Sequence, residues 1–355
     1  MNPLKTHKPY KLLFVLIILL ITASLGIGVM ALRYLESRLV VIWGQTLTAI
    51  SSEIADKLSL ILYERYGDIR IMAVTPVFRG SDRAAMRRHL VSLQLAYPVY
   101  TWLGVTDAAG RLVAATESPS GGEDRSGAAW FRSVRDCLCI RVFDAAPGDE
   151  VGGAWVVTFA APLRGARGEF LGAIVTLVGL NHLEDTLGPV RVALESDQAA
   201  PTALLEYQFV RGDGVLVADS RLREEGKVNL LGVSLRSVTM GVSDQNGSPG
   251  YVEESYARRG VEVVTGYARM HGIGVFDGLR WLILVRVDRD DVIDSVRRTT
   301  RGVAAGGAVV IVPLLGLLAW SLVRVRTTFG EAQTEAERAR TAESQVVERS
   351  RALKE

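Results

Sequence analysis

Arg125 and the aromatic pair Trp130 and Phe131 are the residues of this 355-residue chain that best combine into a binding site. A guanidinium group can hold a carboxylate through two parallel hydrogen bonds, and aromatic side chains can bury the apolar remainder of a small ligand. These residue types favour a small organic acid as ligand. The alternative is that Trp130 packs in a core and Arg125 is a solvated loop residue, because aromatic side chains on half-buried sheets usually pack.

Cys137 and Cys139 are the two cysteines of the chain. If both lie on one strand, their side chains share a face and their α-carbons are about 6.7 Å apart, at the far edge of disulfide geometry. We therefore expect two ordinary, partly buried thiols. Redox or intersubunit bonding and metal binding are the alternatives, and a metal would need carboxylate ligands because no histidine is close in sequence.

Sequence motifs of the common enzyme classes are absent. The chain has no G-x-x-x-x-G-K-[ST] phosphate loop, no G-x-G-x-x-G, no H-E-x-x-H and no nucleophile elbow. Four histidines leave little material for a metal cluster or a histidine-centred catalytic site, and a net charge of +2 excludes a strongly basic nucleic-acid binder. We therefore expect a binding protein with no catalytic residues, no metal, no cofactor and no nucleic-acid partner.

Two apolar segments without charges predict membrane-spanning helices. Residues 12–32 and 302–323 are each bracketed by basic residues, and about 21 residues are just enough to cross the hydrocarbon core as a helix. The three lysines within residues 1–11 favour a cytoplasmic N-terminus, which would place residues 33–301 outside. A cleaved signal peptide is the alternative for the first segment, although that segment is long for one and lacks a small-residue cleavage site.

The segment between the spans must fold on its own, because about 270 residues are too many for a loop. Apolar residues recur at three- and four-residue steps at its start, which predicts one long helix over residues 33–76 that Pro76 ends. Two groups of strands follow, and each begins with a hairpin at a turn sequence, DAAG and then RGDG. This order predicts an α+β fold with sheet modules at residues 77–190 and 201–292.

The C-terminal segment, residues 324–355, is rich in Ala, Glu and Arg and contains no proline, which predicts a helix. One heptad series is apolar throughout, and its partner series begins apolar and becomes polar: Ala332, Ala339, Val346 and Leu353 against Phe329, Ala336, Glu343 and Ser350. This pattern is typical of a weakly paired coiled coil, as a signalling helix requires, and a solvated helix is the alternative. A kinase or cyclase domain would not fit into so short a segment.

Together these features resemble the double-Cache extracytoplasmic sensor domains of bacterial receptors. The stretches that carry the resemblance are Trp130-Phe131, GGAWVVTFAAPLRGARGEFLGAIVTLVGLNHL from Gly152, DGVLVADS from Asp213, GKVNL from Gly226, TGYARM from Thr265 and GLRWLILVRVDRDDV from Gly278. The resemblance implies a long N-terminal helix and two PAS-like antiparallel-sheet modules, flanked by two transmembrane helices and a coiled-coil helix. It also implies a homodimer in the bacterial inner membrane.

The resemblance further implies a ligand pocket in the first, membrane-distal module. The candidate ligand-binding residues there are Trp102, Arg125, Trp130, Phe131, Asp144 and Trp155. In family members that bind amino acids, an arginine stands two residues before the aromatic pair and an aspartate stands on the last strand. This chain has Ala128 and Leu177 at about those places, which disfavours an amino-acid ligand because the ammonium group would lose its carboxylate partner.

The function that the resemblance implies is that of a transmembrane receptor. Its outer domain would bind a small molecule, a carboxylate by the chemistry of Arg125, and signal through the second span and the coiled coil. The output would be a histidine kinase, a diguanylate cyclase or a chemotaxis signalling domain outside this chain. The alternative is a membrane-anchored scaffold whose outer domain binds a partner protein and transmits no signal.

Overall fold

The computed structural model describes residues 9–117, 122–185, 205–233, 235–243 and 247–294, with further residues in short groups between 297 and 324. The chain divides into two compact units, one of residues 38–293 and one formed by the two chain ends. The predicted coiled-coil seam, including Glu343 and Ser350, lies outside the described residues, as does the predicted boundary between the two sheet modules.

Helix α1 spans Pro9–Val74, so its first part belongs to the unit of the chain ends and the rest belongs to the unit of residues 38–293. Its first part exposes large apolar side chains, such as Leu19, Leu25 and Met30. Among the residues that the structure describes, α1 is the one helix long and apolar enough to cross a membrane. The described residues between 297 and 324 are helical, but the predicted second span is described only in part and stays a prediction.

In the unit of residues 38–293, α1 carries the predicted apolar stripe on its buried face. Leu47, Leu58, Leu62 and Ile69 are fully buried there. The helix ends at Val74, and a 3₁₀ turn over Pro76–Arg79 follows. The end comes before Pro76 because a proline disfavours the helical conformation in the residue that precedes it.

The distal module is a five-stranded antiparallel sheet in the order β2-β1-β5-β4-β3, with three short helices. Its elements are α2 (Arg83–Ala96), β1 (Tyr100–Thr106), β2 (Leu112–Ala115), α3 (Ala129–Cys137), β3 (Arg141–Pro147), β4 (Trp155–Arg164), β5 (Phe170–Gly179) and α4 (Leu180–Asp185).

The second sheet module along the chain, which we call the proximal module, repeats this topology in the order β7-β6-β10-β9-β8. Its elements are β6 (Glu206–Val210), β7 (Leu216–Asp219), α5 (Arg236–Ser243), β8 (Gly250–Tyr256), β9 (Val261–Arg269) and β10 (Leu282–Asp288). The predicted α+β fold, a long N-terminal helix with two antiparallel five-stranded sheets, is confirmed.

Each sheet has one face toward α1 and one face with a core of its own. The α1 faces share one continuous core, in which Leu58 of the helix belongs with Leu103 of the distal sheet and Ile283 of the proximal sheet. Polar contacts fix the helix along both sheets, because the hydroxyl of Tyr100 donates to Asp68 Oδ2 at 2.6 Å and Ser59 Oγ accepts from the backbone N–H of His271 at 3.2 Å. The opposite faces are therefore the ones left for binding sites.

The two cysteines form a disulfide, so the expectation of two ordinary thiols is wrong. Helix α3 runs through Cys137, and Leu138 turns the chain with a left-handed φ of 51°. The turn brings the α-carbons of Cys137 and Cys139 to 5.2 Å, well within bonding range. The expectation failed because it placed both residues on a strand, whereas β3 begins only at Arg141.

Candidate functional site

The face of the distal sheet that points away from α1 carries an aromatic cluster. We define this cluster as Trp102, Trp130, Phe131 and Phe170. Trp102, Trp130 and Phe131 are nearly or fully buried, and they share one hydrophobic core. The ring of Phe131 meets those of Trp130 and Phe170 at centroid distances of 6.0 Å each. Three of the six predicted site residues are thus brought together.

Local sequence explains how these rings come together. Trp130, Phe131 and Val134 lie on one face of α3, so the helix buries all three against the sheet. Trp102 reaches the same core from β1, and its ring lies on Gly104, where a Cβ atom would stand 2.2 Å from the ring. Only a residue without a side chain leaves room for the indole there.

Arg125 lies in the turn that leads into α3, three residues before Ala128, which packs against the core that contains the aromatic cluster. Its backbone carbonyl accepts from Ala128 N at 3.0 Å, which starts the turn. Its guanidinium donates to Glu123 Oε2 at 2.8 Å and lies 3.9 Å from Glu150 Oε1. The Nε atom is buried and has no hydrogen-bond partner in the part of the chain that the structure describes.

Glu150 is a candidate site residue that the sequence analysis missed. It lies in the 3₁₀ turn Asp149–Val151, its side chain is only 10 % exposed, and the next residue, Val151, packs against the distal core that contains the aromatic cluster. No sequence pattern marked it, because it stands in an irregular turn 25 residues away from Arg125. Together the two residues offer a cation and a carboxylate at the edge of an apolar surface.

The structure places Asp144 and Trp155 at the contact between the two modules, away from the aromatic cluster. Asp144 Oδ1 accepts a hydrogen bond from Nε1 of Trp281 at 2.6 Å. The ring of Trp155 lies against Gly226, where a Cβ atom would stand 2.3 Å from the indole. Burial raises the pKa of Asp144 above its ordinary value, although hydrogen bonds from Trp281 and Ala145 oppose the shift.

The side chains of Ala128 and Leu177 are apolar and pack with the distal core. Ala128 precedes α3, caps it with no side-chain hydrogen bond and packs against that core. Leu177 is 1 % exposed and stands directly across the strands from Trp102. Among the described residues, no group of three or more His, Cys, Asp or Glu side chains could hold a metal ion.

Comparison with known proteins gives one family and several similar folds. The sequence profile of the Cache domain, dCache_1, matches residues 41–296, more than half of the chain. A solved domain from Vibrio parahaemolyticus, assigned to the sensory box/GGDEF family, is 13% identical and has a TM-score of 0.55; the match covers 72% of this chain and 99% of that one.

Two further solved structures are similar at low identity. The extracellular domain assigned to the histidine kinase rpHK1S-Z16 is 16% identical with a TM-score of 0.54, over 69% of this chain and 94% of that one. The ligand-binding domain of the Pseudomonas aeruginosa chemoreceptor PctB in complex with L-Arg is 17% identical with a TM-score of 0.50, over 70% and 96%. At these identities the likeness concerns the fold alone. No curated protein matches the chain.

Proposed function

The chain belongs to the Cache-domain family, and from this premise we propose that it is the sensor part of a two-pass receptor in a bacterial inner membrane. Residues 33–301 face outward and bind a small organic acid in the distal module. Residues 12–32 and 302–323 anchor the domain, and two copies of the chain associate. Any catalytic activity belongs to an output module rather than to this sensor.

The observation that carries the proposal is the incomplete hydrogen bonding of the Arg125 guanidinium. Its Nε is buried without a partner in the described part of the chain, while its one hydrogen-bonded ion pair is with Glu123, whose side chain is 52 % exposed. Exposed ion pairs contribute little, so a carboxylate ligand can replace Glu123 at small cost and bond to Nε as well. The apolar remainder of the ligand would pack against the aromatic cluster of the same module.

Glu150 narrows the class of ligand. A carboxylate that is 10 % exposed and 3.9 Å from Arg125 has only a loose ionic contact there. A hydroxyl or amine hydrogen on the ligand could bond to it, so an acid with such a donor fits better than a plain fatty acid. A small-molecule ligand is also in keeping with the PctB domain of the same fold, which was solved with L-Arg.

The proposed signal route follows the continuous helix and the segments after the sheets. Helix α1 lies along both sheets of the folded unit and includes the apolar stretch near the N-terminus. Ligand binding would shift the packing beneath the distal sheet, and the second span and the coiled coil of residues 324–355 would pass the change to a histidine kinase, diguanylate cyclase or chemotaxis module. The scaffold alternative requires no ligand at all.

The test is ligand-induced thermal stabilisation of the full chain in lipid nanodiscs, with a panel of small organic acids and their neutral amides. Arg125→Ala should weaken binding of a stabilising acid by about 10- to 100-fold, the worth of a charged hydrogen bond. Arg132→Ala is the matched control, because Arg132 is an exposed arginine of the same helix, α3. It should leave the affinity unchanged.

The outcomes separate the two functions. An acid that binds the Arg125→Ala variant as tightly as the unaltered chain would show that Arg125 is not the ligand contact. If no acid stabilises a folded chain, the receptor proposal fails and the scaffold alternative takes its place.

A further inference from the structure

Arg286 is a buried cation at the centre of the proximal sheet. It is the one charged residue in the apolar run LILVRV of β10, the middle strand of the five, and it is 0% exposed. Its Nε, Nη1 and Nη2 atoms are all buried and donate no hydrogen bond within the described part of the chain. Burying a charge without hydrogen-bonded partners costs folding free energy. The unused N–H donors of Arg286 therefore call for a binding partner.

Unused acceptors lie on the same face of the sheet. The strand register places Arg286 directly opposite Glu206 on β6 and Thr265 on β9, and cross-strand partners share a face. Gln208 lies two residues along β6 and therefore on that face as well. Glu206 Oε1, Thr265 Oγ1 and Gln208 Oε1 are buried, and within the described residues none of them has a hydrogen-bond partner. We call Glu206, Gln208, Thr265 and Arg286 the polar cradle.

The ring of Tyr256 contacts the guanidinium of Arg286. The Arg286 Cζ atom lies 4.2 Å from the centroid of that ring, a short cation–π contact. Such a contact takes up none of the N–H donors, so these donors still lack an acceptor among the described residues. A planar carboxylate can pair with two such N–H groups at once.

The other charges around the polar cradle already have partners. Arg259 binds Oε2 of Glu206 at 3.0 Å and Oδ2 of Asp288 at 2.7 Å. Arg258 lies 3.4 Å from Asp219 and donates to the hydroxyl of Tyr256 at 2.9 Å. Among the described residues no carboxylate oxygen is bonded to Arg286, so its N–H donors remain available to an anion.

The close packing on this face limits the size of a molecule that could bind there, because the four residues of the polar cradle are at most 2% exposed. Helix α5 covers the same face, where Val238 packs in one core with Leu284 and Tyr267. The helix is tied down because Ser237 Oγ donates to Oε1 of Glu254 at 2.6 Å. A ligand enclosed under such a cover has only a few heavy atoms.

We propose that the polar cradle is a second ligand site, in the proximal module, for a small carboxylate that carries a hydrogen-bond donor on its α-carbon. Its carboxylate pairs with Arg286, and its α-hydroxyl or α-ammonium group donates to the free oxygens of Glu206, Gln208 or Thr265. The site shares no residue with the distal one around Arg125, so either site can fail without the other.

The test compares four two-carbon probes of matched size on the full chain in nanodiscs: glycolate, glycine, acetate and glycolamide. Thermal unfolding is followed at rising concentration, up to about 50 mM, since stabilisation grows with the logarithm of ligand concentration over Kd. Glycolate or glycine should stabilise the protein most, acetate less, and the neutral glycolamide not at all. The stronger of glycolate and glycine identifies the α-substituent that the site prefers.

Substitutions in the polar cradle test whether the probes bind there. Arg286→Met keeps the length and apolar stem of the side chain and should weaken binding of the best probe by about tenfold or more. Arg132→Met, at an exposed arginine outside both proposed sites, is the control and should leave that binding unchanged. Thr265→Val keeps the side-chain shape and removes one hydroxyl, so it should reduce the preference for glycolate or glycine over acetate even if Arg286→Met does not fold. The proposal is overturned if no probe stabilises the chain, if Arg286→Met binds as the unaltered protein does, or if Arg125→Met alone abolishes binding.

Discussion

The indole nitrogen of Trp281 donates to Oδ1 of Asp144 across 2.6 Å and so joins the proximal module to a strand of the distal one. Asp144 also accepts from the backbone N–H of Ala145 at 2.7 Å, and Ala145 in turn accepts from Arg211 of the proximal module at 3.1 Å. The two modules therefore share a small polar contact, and burial raises the pKa of the carboxyl group at its centre.

Asp144→Asn should remove a pH dependence from this contact. Burial raises the pKa of Asp144 above its ordinary 3.8, so the folded state binds the proton more tightly than the unfolded state. The stability that this group contributes is present below pH 3.8 and is lost as the pH rises through the raised, folded-state pKa. Urea unfolding across that range should show the asparagine variant gaining stability relative to the unaltered chain, because the amide oxygen still accepts from Trp281.

Asp213 provides a matched control, because its pKa is shifted in the opposite direction. The hydrogen bond from Arg211 lowers the pKa of Asp213, so Asp213 contributes stability above pH 3.8 and loses it as the pH falls toward the folded-state value. The Asp213→Asn variant should therefore gain stability relative to the unaltered chain only when the pH is lowered. If both variants showed the same pH profile, the assignment of the shift at Asp144 to burial would be wrong.

Gly266 of β9 allows α1 to lie directly on the proximal sheet. A Cβ atom at this position would stand 2.3 Å from the carbonyl carbon of Leu47 and 2.5 Å from its oxygen. Both are backbone atoms of a long helix, which cannot move aside locally as a side chain can. Gly266→Ala should therefore lower the free energy of unfolding by about 1–3 kcal/mol or more, measured by urea denaturation.

Gly212 provides the comparison for that measurement. A Cβ atom there meets nothing within 4 Å. Gly212→Ala should change the free energy of unfolding by no more than about 0.5 kcal/mol. Equal effects of the two substitutions would mean that α1 is not seated on the sheet through Gly266.

Trp130 should matter for stability as well as for binding. The side chain is 8% exposed and lies edge-on to Phe131 within the distal core. Trp130→Ala should cost about 3–5 kcal/mol of unfolding free energy, since a large ring is removed from a packed core. Trp130→Phe should recover most of that loss, and a small cost for the alanine variant would show that the aromatic cluster packs only loosely.

The fold was predictable because it follows from periodicity. The apolar stripe between Leu47 and Met72 has the helical period, and the turn sequences DAAG and RGDG mark the first hairpin of each module. Counting alternate residues along a strand predicted the side-chain positions of the site residues less well. The register of β3 against β4 shifts between Phe143 and Ala146, which is where Asp144 lies, so counting alternate residues could not place its side chain.

Other parts of the binding surfaces depend on tertiary geometry that no local pattern records. Glu150 reaches Arg125 from an irregular turn, and the disulfide depends on the left-handed conformation of Leu138. In the sequence, Arg286 is only a single charged residue within an apolar segment. Its environment emerges only from the register of three strands, which brings Glu206 and Thr265 to its two sides.

The membrane topology can be tested with reporter fusions that are active only outside the cytoplasm. A phosphatase fused after Ser220 should be active, because the lysines within residues 1–11 favour a cytoplasmic N-terminus and the apolar start of α1 would carry the following residues across. The same reporter fused after Glu355 should be silent if residues 302–323 form a second span. Activity at both points would leave a single span, and the reverse pattern would overturn the proposed orientation. An epitope tag at the N-terminus, retained in the mature protein, would exclude cleavage of the first span as a signal peptide.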